Sequence, residues 1–288
     1  MTIRPPQVEH RQTATPPSVS IFERILVGID GTEAGVEACQ QTARLADQQA
    51  EVEAVAVVHL GPAVAAALDA AHMVDVLERD AEEALDRAIA ILGGRAHKRY
   101  LDGFVASALR DELESFGASL VALGTHGHHR STEIVLGGVA GEILHTAPCS
   151  VLIARPCPIA TFPRSVVVGH DGSPQADEAL AVARRLEARF GSTIRVLVAL
   201  DGKHVDRERI LRDAPAAEVL PGKPVNALVE AARNADLLVV GSRGLHGLRA
   251  LGSVSECVAH EASCSTLVVR SVQGMRAEAT PRPLHSIG

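Results

Sequence analysis

At 288 residues and 47% hydrophobic content, the chain is long enough for two domains that each bury a core. Its formal charge of −7 and aromatic share of 2% exclude nucleic acid and anionic membrane as general partners, and leave no stacking platform for single-stranded bases. No apolar stretch has the length of a membrane span, residues 1–20 lack an apolar signal-peptide core, and five cysteines without CxxC spacing point to a reducing, cytoplasmic setting.

Residues 1–20, rich in Pro and Thr, read as a flexible tail. A first unit spans 21–155. The run Ile25-Leu26-Val27-Gly28-Ile29 predicts a strand over 24–29 that turns through Asp30-Gly31-Thr32 into a helix at about 33–49. The helix carries Val36, Cys39, Ala43 and Ala46 on its inner stripe. The apolar run from Val52 to Leu60 is the second strand, closed by Gly61-Pro62. A long helical stretch to Leu92 follows, with Leu77, Ala81, Ala84, Leu85, Ala88 and Ile91 facing inward and Gly93-Gly94 as its stop. A short polar strand at 96–101, a helix at 105–116 ended by Gly117, a strand at 119–123, a helix at about 138–146 and a strand at 149–154 complete the unit. This β-α alternation requires right-handed crossovers and a parallel sheet.

Residues 156–163, with three prolines, form a stiff linker. A second unit at 164–271 repeats the order in shortened form. After the strand at 194–200 only 203–213 is available for the long helix, which becomes a stub or a loop. Residues 272–288 read as a second tail.

The repeat extends to its turns. Gly28-Ile29-Asp30-Gly31-Thr32 returns as Gly169-His170-Asp171-Gly172-Ser173, and Gly124-Thr125-His126-Gly127 returns as Gly241-Ser242-Arg243-Gly244. Gly137-Gly138-Val139 returns as Gly252-Ser253-Val254. Asp30 and Asp171 follow the first strand of each unit, where open α/β sheets bind ligands; an N-cap or Asx-turn role is the structural alternative. Glycines after the fourth strand permit positive φ and leave N–H groups for an anion, and the second turn precedes a helix N-terminus suited to phosphate. His126, His128 and His129 cluster without a Cys or carboxylate at ligand spacing, so a solvated loop is expected there rather than a metal site. Cys149 and Cys264 hold equivalent strand positions and are expected as small buried side chains, His59 as a packed or half-exposed residue, and His170 as a lining residue.

Together these motifs, with Gly-Ser-Val-Ser-Glu at 252–256, resemble the universal stress protein family in its tandem form, over residues 24–155 and 165–270. The resemblance implies an α/β class with two tandem Rossmann-like sandwich domains, each holding a five-stranded parallel sheet. It also implies ATP, with Mg2+, as ligand. Asp30 would meet the adenosine end, the backbone of Leu60 the adenine, and Gly124, His126, Gly127, Gly137, Gly138 and Val139 the phosphates. The second set is Asp171, Leu200, Gly241, Arg243, Gly244, Gly252, Ser253, Val254 and Ser255. The family pairs through its last strand, so strands 149–155 and 264–270 are expected to join the units as a pseudo-dimer, with a homodimer as a further association.

The copies depart from the family pattern differently. The first keeps nine residues between Gly127 and Gly137 but has Gly138 and Ala140 where hydroxyl residues are usual. The second keeps Gly252-Ser253-Val254-Ser255 but has only seven residues after Gly244. The first unit is therefore expected to hold the better site. No Walker lysine is present in either loop, so a dedicated enzyme is not expected. The alternatives are an interaction protein of the same fold without nucleotide, or a slow ATPase.

Overall fold

The fold, taken from a computed structural model, is described for residues 20–59, 61, 70–94, 96–125, 136–200, 210–212, 214–242 and 253–270. The first half contains β1 (Arg24–Ile29), α1 (Glu33–Leu45), β2 (Glu51–Val58), α2 (Ala70–Leu92), β3 (Ala96–Asp102), α3 (Val105–Phe116), β4 (Leu120–Gly124), α4 (Gly138–Thr146) and β5 (Ser150–Ala154). A single 3₁₀ turn, Ile159–Thr161, leads to the second half. There follow β6 (Ser165–Gly169), α5 (Pro174–Phe190), β7 (Thr193–Leu200), β8 (Glu218–Pro221), α6 (Pro224–Ala231), β9 (Leu237–Gly241), α7 (Ser253–Glu261) and β10 (Ser265–Val269).

Local chemistry sets the element boundaries. The Gly35 N–H donates to Thr32 Oγ1 at 3.3 Å, and the Ala176 N–H donates to Ser173 Oγ at 3.2 Å, so each half starts its first helix on a hydroxyl cap. Gly117 and Gly191 end α3 and α5 at φ 67° and 68°, left-handed values that cost glycine nothing. The polar strand β3 lies at a sheet edge and is mostly exposed.

The strands order as β3-β2-β1-β4-β5-β10-β9-β6-β7-β8. Each half is thus a five-stranded parallel sheet in the Rossmann-like order 3-2-1-4-5. β5 and β10 pair antiparallel, with Leu152 opposite Leu267 and Thr266 opposite Ile153. Leu152 and Leu267 are equivalent positions in the two repeats, so a local twofold passes through their pair.

Separate cores were expected for the two units. Instead, one apolar layer on each face runs through both halves: one joins Ile25, Val27 and Cys39 with Ala179, Leu186 and Leu267, the other joins Leu26, Val121 and Ile143 with Leu238 and Val258. Closing the sheet through β5 and β10 makes burial continuous. The inner face of α1 is also wider than a single stripe. Ala38, Cys39, Gln41, Thr42 and Leu45 are buried, while Val36 and Ala43 are only partly covered, because α1 packs against the 3₁₀ segment as well as the sheet. In α2, Ala84, Leu85, Ala88 and Leu92 are buried, but Leu77 and Ala81 are half-buried.

Two arginines fasten the halves. Arg155 follows β5 and is 1% exposed. Its Nη2 donates to Ala259 O at 2.6 Å and its Nη1 to Cys264 O at 3.2 Å, at the C-terminal end of α7 and beyond. Arg270, after β10, donates reciprocally to Leu144 O and Ala147 O at the end of α4. The cations satisfy orphan helix carbonyls and complement the helix dipole. Burial lowers both guanidinium pKa values, that of Arg155 to about 10. Among the described residues, no helix is long and apolar enough to cross a membrane.

Candidate functional site

The strand order reverses between β1 and β4, and again between β6 and β9. Chain crossovers diverge at such a switch point and leave a crevice beyond the carboxyl ends of the strands. The first crevice is bordered by Asp30 after β1 and by Gly124 and Thr125 at the end of β4. The second is bordered by Asp171 after β6 and by Gly241 and Ser242 at the end of β9.

Both aspartates are exposed and both form Asx turns. Asp30 Oδ1 accepts from the Thr32 N–H at 3.0 Å and from Thr32 Oγ1 at 2.7 Å. Asp171 Oδ1 accepts from the Ser173 N–H at 3.0 Å. Gly31 and Gly172 occupy the turns at φ 76° and 80°, so Asp-Gly-Thr/Ser shapes the turn while presenting the carboxylate at its rim. A crevice of about 10 Å³ beside Gly31, lined by Cys39, Ala84 and Arg87, has room for a single water.

Gly124 and Gly241 do not take positive φ. Their reason is contact. A Cβ on Gly124 would lie 2.2 Å from Ala34 O, and one on Gly241 would lie 2.4 Å from Gln175 O. Each glycine lets the first turn of α1 or α5 press against a strand end, which brings a helix N-terminus to the crevice rim. Thr125 is buried, and its Oγ1 donates to Ala154 O at 3.5 Å, toward β5 rather than into the crevice.

Gly137 is the N-cap of α4, with φ −61° and no side-chain cap bond. Gly138, the first helical residue, is exposed, and a Cβ there would meet nothing within 4 Å. Val139 is half-buried. The first turn of α4 therefore presents backbone N–H groups without a competing side-chain acceptor, the donor set that an anion fits. In the second half, Ser253 opens α7, Val254 is half-buried and Ser255 is 3% exposed. Ala140, the counterpart of Ser255, is 4% exposed. The hydroxyl absent at Ala140 thus belongs to a buried position of the helix.

Leu200 is the last residue of β7, paired with Pro221 of β8. Leu60, His126, Gly127, Arg243, Gly244 and Gly252 lie outside the described residues, as do His128 and His129.

Two features escaped the sequence reading. His170 is buried; its Nδ1 accepts from the Gly172 N–H and its Nε2 carries the proton toward Asp177 Oδ1, each at 3.1 Å. It is a brace that ties the second Asp-Gly turn to α5, where the first half has only Ile29. The other feature is an aromatic pair. The ring of His59, after β2, stacks on Phe104, before α3, with centroids 4.4 Å apart and planes at 33°. Phe104 is 74% exposed, so the chain does possess one stacking surface. An exposed aromatic directly after the Asp102-Gly103 strand end was the available signal.

Burial, then the Asp30 charge, pushes the Cys39 thiol up to about 12; burial alone holds Cys149 up at about 12. Cys157 is likewise pushed up to about 12 by burial and the Glu37 carboxylate. Among the described residues no group of His, Cys, Asp and Glu is arranged to hold a metal ion.

The family model described as the universal stress protein family matches residues 21–155 and 214–270. A universal stress protein of Mycobacterium tuberculosis is 32% identical over 184 residues, covering 53% of this chain and 62% of the relative. The chain therefore spans less than two thirds of that curated relative. One from Mycolicibacterium smegmatis is 28% identical over 287 residues, covering 85% of this chain and 96% of the relative. The crystal structure of a universal stress protein from Archaeoglobus fulgidus shares the fold, with TM-score 0.69 and 24% identity over 86% of this chain and 98% of its own.

Proposed function

The chain belongs to the universal stress protein family, and from that premise we propose that it is an ATP-binding regulatory protein whose better site is in the first half. The reading is supported by two features of the first half, an exposed Asp30 turn beyond β1 at the β1/β4 switch point and an N-terminus of α4 without a side-chain cap. Asp30 would take the ribose, and the amides of Gly138 and Val139 would take phosphate oxygens, joined by the loop that contains His126 and Gly127. Bound Mg2+ would offset the negative charge of the phosphates.

The His59–Phe104 pair, at the ends of β2 and β3, would offer the base an aromatic wall. Stacking of this kind contributes about 1–3 kcal/mol. The second half repeats the geometry with Asp171 and Gly241, but its turn is braced by His170 and its loop after Gly244 is two residues shorter. In this reading the two halves act as a pseudo-dimer in the cytoplasm, and ATP is a signal that is held rather than a substrate that is turned over.

Calorimetric titration of the purified protein with ATP and Mg2+ tests the proposal. Heat is expected for the wild type, loss of it for Gly127→Glu, and retention for Gly244→Glu. Phe104→Ala is expected to weaken binding about tenfold. Absence of heat in the wild type would favour the interaction-protein alternative, and phosphate release above blank would favour the ATPase.

A further inference from the structure

A cavity of about 220 Å³ lies where the halves meet, between Ile21–Phe22 and α5, lined among others by Ser119, Glu178, Val182, Arg185 and Arg270. Glu178 lines it, and the Oε2 of that residue is buried and accepts no hydrogen bond. A carboxylate oxygen left in that state is costly.

The local twofold through Leu152 and Leu267 carries each wall of this cavity onto a counterpart. Glu178 maps to Glu37, Val182 to Gln41, Arg185 to Arg44 and Arg270 to Arg155. That counterpart is filled. The chain leaving Arg155 turns over α1, and Cys157 and Ile159 pack on the core beside it. Gln41 Nε2 donates to Arg155 O and to Glu37 Oε1, each at 2.8 Å, and lies 3.4 Å from Cys157 Sγ. Cys157 Sγ itself lies 3.6 Å from Glu37 Oε1. The same glutamate is thus supplied with donors on the side where chain follows the arginine, and left without any for its second oxygen on the other side.

We infer that the segment directly after Arg270, Ser271-Val272-Gln273-Gly274-Met275, docks in this cavity, with Val272 in the place that Cys157 takes over α1. The segment supplies what the cavity lacks: an apolar side chain for the wall at Val182 and N–H groups for Glu178. Ile21 and Phe22 correspond to Phe162 and Pro163, the far end of the linker, and they already stand in place as a wall. What has no counterpart in the described chain is the stretch equivalent to Pro156–Pro158. Docking would close the interface beside β10, whose Val269 carbonyl accepts from the Ser242 N–H at the second crevice.

Paired cysteines in the full chain test this. In a Cys157→Ser, Cys257→Ser background, Val182→Cys with Val272→Cys is expected to form an intramolecular disulfide under mild oxidation. Its rate should match that of Gln41→Cys with native Cys157 in an otherwise wild-type chain, and exceed tenfold that of Val182→Cys with Ser286→Cys, read by non-reducing gel and peptide mass. A second measurement uses Ala181→Cys, an exposed residue of the cavity wall; its alkylation is expected to quicken several-fold when residues 271–288 are removed. The inference is overturned by a 182–272 rate no faster than 182–286, by a bridge only between two chains, by preferred coupling of Val182→Cys to Ser18→Cys, or by alkylation indifferent to the truncation. None of these readouts involves ATP, so failure here is distinct from failure of the nucleotide proposal.

Discussion

Gly138→Glu separates stability from ligand binding at the N-terminus of α4. The position is exposed, helical and free of neighbours within 4 Å of a Cβ, so a side chain enters without strain. Replacing glycine by a better helix former is worth about 0.5 kcal/mol, and a carboxylate in the first turn adds about 0.5 kcal/mol through the helix dipole. The sum of about 1 kcal/mol raises Tm by about 2–4 °C for a protein of this size class. The same carboxylate opposes a phosphate held by those amides. Two unit charges about 6 Å apart, at an effective dielectric of about 20, repel by about 3 kcal/mol, close to a hundredfold in affinity. Scanning calorimetry and ATP titration on the one variant read both terms. A fall in Tm would refute the openness assigned to Gly138, and an unchanged ATP affinity would refute the placement of phosphate at α4.

Other substitutions probe the frame around the site. Gly124→Ala drives a methyl into the Ala34 backbone at 2.2 Å, and a loss of about 1–3 kcal/mol is expected in urea unfolding; a neutral result would show that the contact yields easily. Arg155→Ala strips the Ala259 and Cys264 carbonyls of a buried donor and is expected to cost about 2–4 kcal/mol, with Arg155→Lys recovering only part because it lacks the forked donors. A loss below about 0.5 kcal/mol would refute the fastening role. Alkaline pH supplies a further check. The thiols of Cys39 and Cys149 titrate near 12 in the fold against 9.0 when exposed. Because the folded values are raised, their contribution is complete below pH 9 and is lost as pH rises toward 12, at about 1 kcal/mol per thiol and pH unit. The urea midpoint is expected to fall across that window, and Cys39→Ala with Cys149→Ala to flatten the fall; an unchanged slope would contradict the assignment.

The sequence by itself determined the elements, because their signals are local. Alternation of apolar runs with helical stripes and Gly117 as a helix stop each act over a few residues, although the caps proved to be Thr32 and Ser173, with Asp30 and Asp171 in the Asx turns before them. The repeated Asp-Gly turns also marked where the crevices lie, since strand ends at a switch point follow from the β-α order. Only the tertiary structure decided what the same residues do there. Gly124 looked like a residue chosen for backbone freedom, yet its need is the 2.2 Å approach of Ala34, more than eighty positions away in the chain. That Ala140 is buried in α4 was likewise not written in its neighbours. Arg155 and Arg270 each reach the last helix of the opposite half, a role that no local signal marks. Periodicity and turn chemistry are written within one element, whereas close approach, burial and cross-strand capping depend on pairs of elements that the sequence does not place side by side. The antiparallel join of β5 to β10 creates most of those pairs, and with them the unequal surroundings of two nearly equal repeats.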